Sequence, residues 1–244
     1  MGGMEKEEKL DSAEDITGEV EMYWRQELTI YDVRVVEKKG ILHNEKEFLP
    51  HEVVYRLPPQ ISDAGTRVEQ VRRDLERLVR MGVNVIRLEG TGTGAEGVNC
   101  SEVRTFYSLC RKRGFLTGDL WIRPENLPVY RGLPGETTCQ ALLAADGRTL
   151  TERYYYYQAK WSSEPVLYPV LSTLHRQENG LLSLTIYSNQ KKVVLYVDGL
   201  LFLFQTATSG DPEFIFEDIP VAKLPLHLAA EAGNLSISLT VTKL

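Results

Sequence analysis

The chain has 244 residues, 43% hydrophobic and 25% charged, the balance of a globular protein with one large domain or two ordinary ones. Its formal charge of -6 is concentrated at the start, where residues 1–20 hold seven acids (Glu5, Glu7, Glu8, Asp11, Glu14, Asp15 and Glu19) against Lys6 and Lys9. The remainder is nearly neutral, so no basic field is available to gather nucleic acid or anionic lipid. No apolar run has membrane-spanning length and no basic-then-apolar leader opens the chain, so a cytoplasmic protein with neither nucleic-acid nor membrane partners is expected. Cys100, Cys110 and Cys139 are an odd count without a Cys-x-x-Cys pair, which excludes a disulfide framework and a zinc knuckle.

In chain order, residues 1–18 read as a disordered acidic tail. Glu19–Leu28 and Thr29–Glu37 read as strands, and Ile41–Leu49 as another around Asn44-Glu45. Val68, Val71, Leu75, Leu78 and Val79 recur at helical spacing, with Thr66 and Glu69 as a capping box and Gly82 as the C-terminal cap. Arg72, Arg73, Arg77 and Arg80, interleaved with Glu69, Asp74 and Glu76, read as the solvated face of that helix. Val83–Leu88 is a buried strand, Gly90–Gly97 a glycine-rich loop, Ser101 the N-cap of a second helix ending at Gly114, and Phe115–Ile122 a strand again. This alternation predicts about three parallel strands with helices over them. Thr151–Trp161 reads as a helix, although four consecutive tyrosines also suit a strand. Beyond Pro165 about seven short strands, with a two-residue hairpin turn at Asp198-Gly199, suggest an immunoglobulin-like sandwich.

The motifs that could carry chemistry are sparse. Gly92-x-Gly94-x-x-Gly97 matches a dinucleotide fingerprint, but the helix starts too late to point its N-terminus at a pyrophosphate, so a plain βα loop is expected. The four histidines are scattered, and His51, beside Glu52, is a ligand or base only if it is not structural. No cofactor and no metal is therefore expected. Carboxylates near strand ends are Glu89, Asp119 and Glu125, and a pair flanking a sugar bond is what glycoside hydrolysis requires. Trp121 and Trp161 could stack on a sugar, or pack at a domain junction.

Several segments, taken in order, resemble glycoside hydrolase family 2, the family of β-galactosidases and β-glucuronidases. Asn44–Leu49 (NEKEFL) is similar to the family's NGKPF strand. Val71–Leu75 and Met81–Arg87 are similar to RRDLELMKxxGxNAVR, and Phe106–Cys110 through Leu116 to FYDLCDELGL. Ala145–Arg148 with Tyr154–Val166 resembles the stretch that leaves the barrel. Ile186–Asn189 with Val193–Gly199 resembles the VYSNxxxVELFLNG hairpin of the following sandwich.

The departures decide what the resemblance implies. Gly90–Gly97 stands where the family has a His-Tyr-Pro sugar-binding turn. Only about twenty residues separate Asp119 from Leu142, where the family holds most of an eight-stranded barrel, about 200 residues, including the acid/base and nucleophile strands. No residue inherits either role. The expected fold is then a few β/α units of a truncated (β/α)8 barrel with N-terminal strands at 19–150, a connecting segment at 151–164, and an immunoglobulin-like β-sandwich at 165–244. The expected function is a non-catalytic carbohydrate- or protein-binding module. Glu125, Trp121 and Trp161 are its candidate contacts, and a homo-oligomer or partner subunit would cover the truncated barrel. The alternatives are a working glycoside hydrolase using Glu89 and Asp119, or completed by a partner chain, and a nucleotide-binding module.

Overall fold

The structure, a computed structural model, describes residues 33–36, 40–58, 64–89, 100–117, 127–132 and 141–243. The expectations for the acidic tail, Glu19–Leu28, Gly90–Gly97, Asp119, Trp121 and Glu125 fall outside these residues. The chain divides into two compact units, Met1–Leu49 and Pro50–Leu244.

In the first unit, β1 (Val33–Val36), β2 (Gly40–His43) and β3 (Lys46–Glu47) form an antiparallel sheet in that order. The expected strand around Asn44-Glu45 is a hairpin. His43 pairs with Lys46, and both turn residues have positive φ, 50° for Asn44 and 64° for Glu45. Two left-handed residues in a two-residue loop make the turn whose twist suits a hairpin.

The second unit begins with a five-stranded parallel sheet. Its strands are β4 (Glu52–Tyr55), β5 (Val85–Leu88), β6 (Leu116–Thr117), β7 (Val129–Arg131) and β8 (Ala141–Leu143). They lie in the order β6-β5-β4-β7-β8, all pairs parallel. Two of these strands, β7 and β8, exceed the three expected, and the order departs from a barrel arc. An unbroken arc would advance one way round, whereas here the order reverses at β4, as in doubly wound sheets. The β8 edge is not open either. Thr151 N–H donates to Leu142 O (3.0 Å), Ala144 N–H to Thr149 O (2.9 Å), and Leu150 bridges Leu143, so the chain folds back on it.

Helices α1 (Ala64–Met81), α2 (Cys100–Lys112) and α3 (Glu152–Trp161) pack on the sheet. Val71, Leu75, Leu78 and Met81 of α1 and Phe106, Leu109 and Cys110 of α2 meet Val53, Tyr55, Ile86 and Leu88 in one core. Each fully buried aliphatic side chain there stabilises by about 1.5–3 kcal/mol. α1 begins at Ala64, so Thr66 is inside it rather than at its cap, and α2 begins at Cys100, one residue before the expected cap Ser101. Their C-termini match the reading. Gly82 N–H donates to Val79 O and Val83 N–H to Leu78 O, and Gly114 and Phe115 repeat the pattern on Arg111 and Cys110. Both glycines have positive φ, as this cap demands.

The rest is a sandwich of two antiparallel sheets. One has the order β13 (Glu213–Ile219), β10 (Leu182–Ser188), β9 (Leu167–Arg176). The other has β12 (Leu200–Thr206), β11 (Lys192–Val197), β14 (Leu226–Ala232), β15 (Leu235–Val241). Alternate residues such as Leu184, Ile186, Val193, Leu195, Phe214 and Phe216 fill the space between them. α3 lies against the β13-β10-β9 sheet, with Tyr155 stacked on Tyr168 (3.7 Å between centroids) and Tyr156 edge-on to Tyr187 (5.4 Å). The tyrosine run is thus a helix, with Tyr154, Tyr155 and Tyr157 in or against the parallel-sheet core and Tyr155 and Tyr156 also touching tyrosines of the sandwich.

Candidate functional site

In open parallel sheets and in barrels alike, functional groups gather where the strands end, because the following loops converge there. In this chain that edge carries Arg56 after β4, Glu89 after β5 and Arg131 at the end of β7. Glu89 is the one sequence-derived carboxylate candidate within the described residues. Its two oxygens accept from Nε and Nη2 of Arg56, the latter at 3.2 Å, and Arg56 Nη1 also donates to Arg131 O (3.3 Å). This fork-to-carboxylate geometry crosses the ends of β4, β5 and β7 and holds Glu89 sideways along the edge.

Beneath that edge lies a network that the sequence reading assigned to solvent. Asp74 is 1% exposed. It accepts from the hydroxyls of Tyr55 and Tyr130 (3.0 Å each), from Arg131 Nη2 (2.7 Å) and more loosely from Arg77 Nη1 (3.5 Å). Burial, and then the Asp74 charge, push the phenols of Tyr55 and Tyr130 well above the usual tyrosine range, so both act as donors. A signal was available: Val71, Asp74, Leu75 and Leu78 share one helical face, so a carboxylate on that stripe had to be buried. The network ties α1 to β4 and β7.

Between the first turns of α1 and α2 opens a cleft of about 190 Å³, lined by Leu57, Val68, Val71, Phe106 and Leu109, with Arg67 and Glu102 in its wall. Arg67 Nη1 donates to Glu102 Oε1 at 2.6 Å. Arg67 Nε and Glu102 Oε2 are buried without a hydrogen-bond partner among the described residues. Chemically, the cleft accepts a small apolar group bearing one acceptor and one donor. Neither residue stood out in the sequence, since a lone charge near a helix start is ordinary.

The opposite end of the sheet is structural. His51 Nδ1 donates to Gly82 O (2.8 Å), its backbone N–H donates to Asn84 Oδ1 (2.7 Å), and its ring stacks on Trp161 (5.1 Å, 6° between planes). Trp161 also meets Tyr157 (4.4 Å). Glu52, the other half of the His51-Glu52 pair, is buried and accepts from Arg87 Nε (2.9 Å). Trp161 and Glu89 therefore lie at opposite ends of the sheet, and the structure does not bring them into one site.

No protein-family model and no curated protein sequence matches the chain. Solved structures do. It is similar to an FMN-binding β-glucuronidase from Facaelibacterium prausnitzii L2-6 (TM-score 0.58, 14% identity, 88% of this chain and 59% of that one). It is also similar to a β-glucuronidase from Bacteroides uniformis (TM-score 0.58, 13% identity, 87% and 48%). A glycosyl hydrolase family 2 member from Bacteroides cellulosilyticus DSM 14838 matches as well (TM-score 0.51, 13% identity, 87% and 48%). At these identities the likeness is one of fold, and the chain spans 48–59% of the length of those structures. No helix among the described residues is long and apolar enough to cross a membrane.

Proposed function

We propose that the chain is a non-catalytic module derived from the family 2 glycoside hydrolase fold, which binds another molecule instead of cleaving a glycosidic bond. The observation that carries this reading is the state of Glu89, both of whose oxygens accept from Arg56. Glycoside hydrolysis needs one carboxyl group to protonate the leaving oxygen and a second, roughly 5–10 Å away, to act as nucleophile or base. A carboxylate laid along the sheet edge in a guanidinium fork does not present itself for either task. The fold likeness to β-glucuronidases supports the derivation. Of the two binding classes, protein contact is favoured over sugar stacking, because the Trp161 ring is packed on His51 and Tyr157.

The test is hydrolysis of aryl β-glucuronides and β-galactosides by the purified chain. No release above the blank is expected. Release that disappears on Glu89→Gln would overturn the reading in favour of a working hydrolase.

A further inference from the structure

We infer that the chain self-associates through the β12 side of the sandwich, two copies packing their β12 strands together about a two-fold axis. This rests on the reading of the chain as an interaction module and names its partner as a second copy. β12 is the edge of its sheet, and β13 is the edge of the facing sheet on the same side, where Gln205 donates its amide to Ile215 O. On that side apolar residues lie open: Leu200 is 75% exposed, Leu201 62%, Phe204 52%, Ile215 51% and Leu203 42%. Edge strands are ordinarily protected by charge, proline or brevity. β12 has seven residues, and Gly199–Gly210 contains neither a charge nor a proline. Of the two lysines beside its last residues, Lys192 lies over the Phe204 ring at 4.0 Å, and Lys191 flanks the end of the strand, its carbonyl accepting from Ala207 N–H (2.9 Å).

Charge selects the occupant. Most of the net charge of -6 lies in residues 1–20 and the remainder is nearly neutral, so the uncharged apolar strip meets little repulsion from a second copy. A two-fold axis through the middle of β12 runs the two strands antiparallel. Lys192 is beside Thr206 at one end of the strand, and Asp198 precedes Leu200 at the other. The basic end of each copy then lies beside the acidic end of its partner. Such a contact is self-complementary, which is what an isologous dimer requires.

The experiment is light scattering of the full chain across a concentration series to tens of micromolar. Twice the chain mass is expected for the wild type, and a single chain mass for Leu201→Glu and for Leu203→Glu. Leu171→Glu, an exposed leucine on β9, should leave the dimer intact. Mixing Leu203→Glu with Leu203→Lys chains should restore the doubled mass, because Leu203, at the middle of β12, faces its own copy across the axis. Circular dichroism of each variant separates lost association from lost folding, and Leu201→Ser replaces any variant that misfolds. A wild type of single chain mass, or a dimer unmoved by both glutamates, would overturn the inference. Aryl-glycoside turnover by the same dimer would instead remove the binding-module reading and leave the interface standing.

Discussion

Arg131 and Asp74 form an ion pair inside the protein, Nη2 to Oδ2 at 2.7 Å, with both side chains almost wholly removed from solvent. The pair joins the last residue of β7 to the middle of α1, and the hydroxyls of Tyr55 and Tyr130 fill the remaining acceptor sites of the carboxylate. Removing one partner leaves the other charged and buried, which costs about 3–5 kcal/mol. Asp74→Ala is therefore expected to lower the unfolding free energy by that amount in urea titration. Tyr55→Phe, which deletes one hydrogen bond and keeps the ring, should cost about 1 kcal/mol. Equal, small effects from both would show that Arg131 finds solvent when Asp74 is gone.

The two helix caps offer an internally controlled test. Gly82 has φ 87° and Gly114 φ 81°, so either Gly→Ala change costs about 1–2 kcal/mol for the left-handed backbone. A Cβ on Gly114 meets open space, whereas one on Gly82 would sit 2.4 Å from Trp161 O. Gly82→Ala must also displace the end of α3, and its loss of stability should exceed that of Gly114→Ala. Equal losses would mean that α3 shifts freely and does not brace α1.

How far the sequence could be read follows from how local each signal is. Gly82, Gly114 and Asp198-Gly199 were legible because a left-handed cap or turn is decided within a few residues. α1 was legible because its apolar positions recur from Val68 to Val79, over about three turns. β7 and β8, three residues each, are too short to show a period, and β8 is buried throughout, so only their pairing with β4 and one another reveals them. The burial of Asp74 could be read from its place on the apolar stripe of α1, but two of the groups that satisfy it, Tyr130 and Arg131, lie more than fifty residues away. The charge pattern of one helix could not disclose those partners. The reversal of strand order at β4 is likewise long-range, since it turns on where β7 docks.

The hairpin at Asn44-Glu45 stores strain that a single change should release. Glu45 adopts φ 64°, a conformation in which a side-chain-bearing residue pays about 1–2 kcal/mol and glycine pays little. Glycine gives back part of that gain as greater freedom in the unfolded chain. Glu45→Gly should still stabilise the first unit by about 0.5–1 kcal/mol, read as slower amide exchange in β2 and β3. Faster exchange there would show that the Glu45 side chain holds the turn through its own contacts.

Alkaline pH should unfold the second unit through its tyrosines, and the sign follows from where they are buried. Burial pushes Tyr154 and Tyr187 up to about 12, and Tyr55 and Tyr130 are raised as well. In the unfolded chain each would ionise near pH 10, about the ordinary tyrosine value. The folded chain thus keeps protons that the unfolded chain releases, and unfolding gives them up. The stability tied to these phenols is fully present below about pH 10 and is lost as pH rises through the folded values. For Tyr154 and Tyr187 the window runs from about pH 10 to about 12. Tyr154 adds a specific contact, its hydroxyl donating to Arg77 O at 2.9 Å, which phenolate formation would abolish. Phenolate absorbance should therefore rise in two stages, exposed tyrosines near pH 10 and the buried set later, the second stage coinciding with loss of the circular dichroism signal. Tyr154→Phe should make the alkaline decline shallower while leaving stability at neutral pH lower by about 1 kcal/mol. A single absorbance step near pH 10 with the circular dichroism unchanged would mean that these phenols reach solvent in the folded protein, and that the packing of α3 against the parallel-sheet core and the β9 and β10 tyrosines is looser than its distances imply.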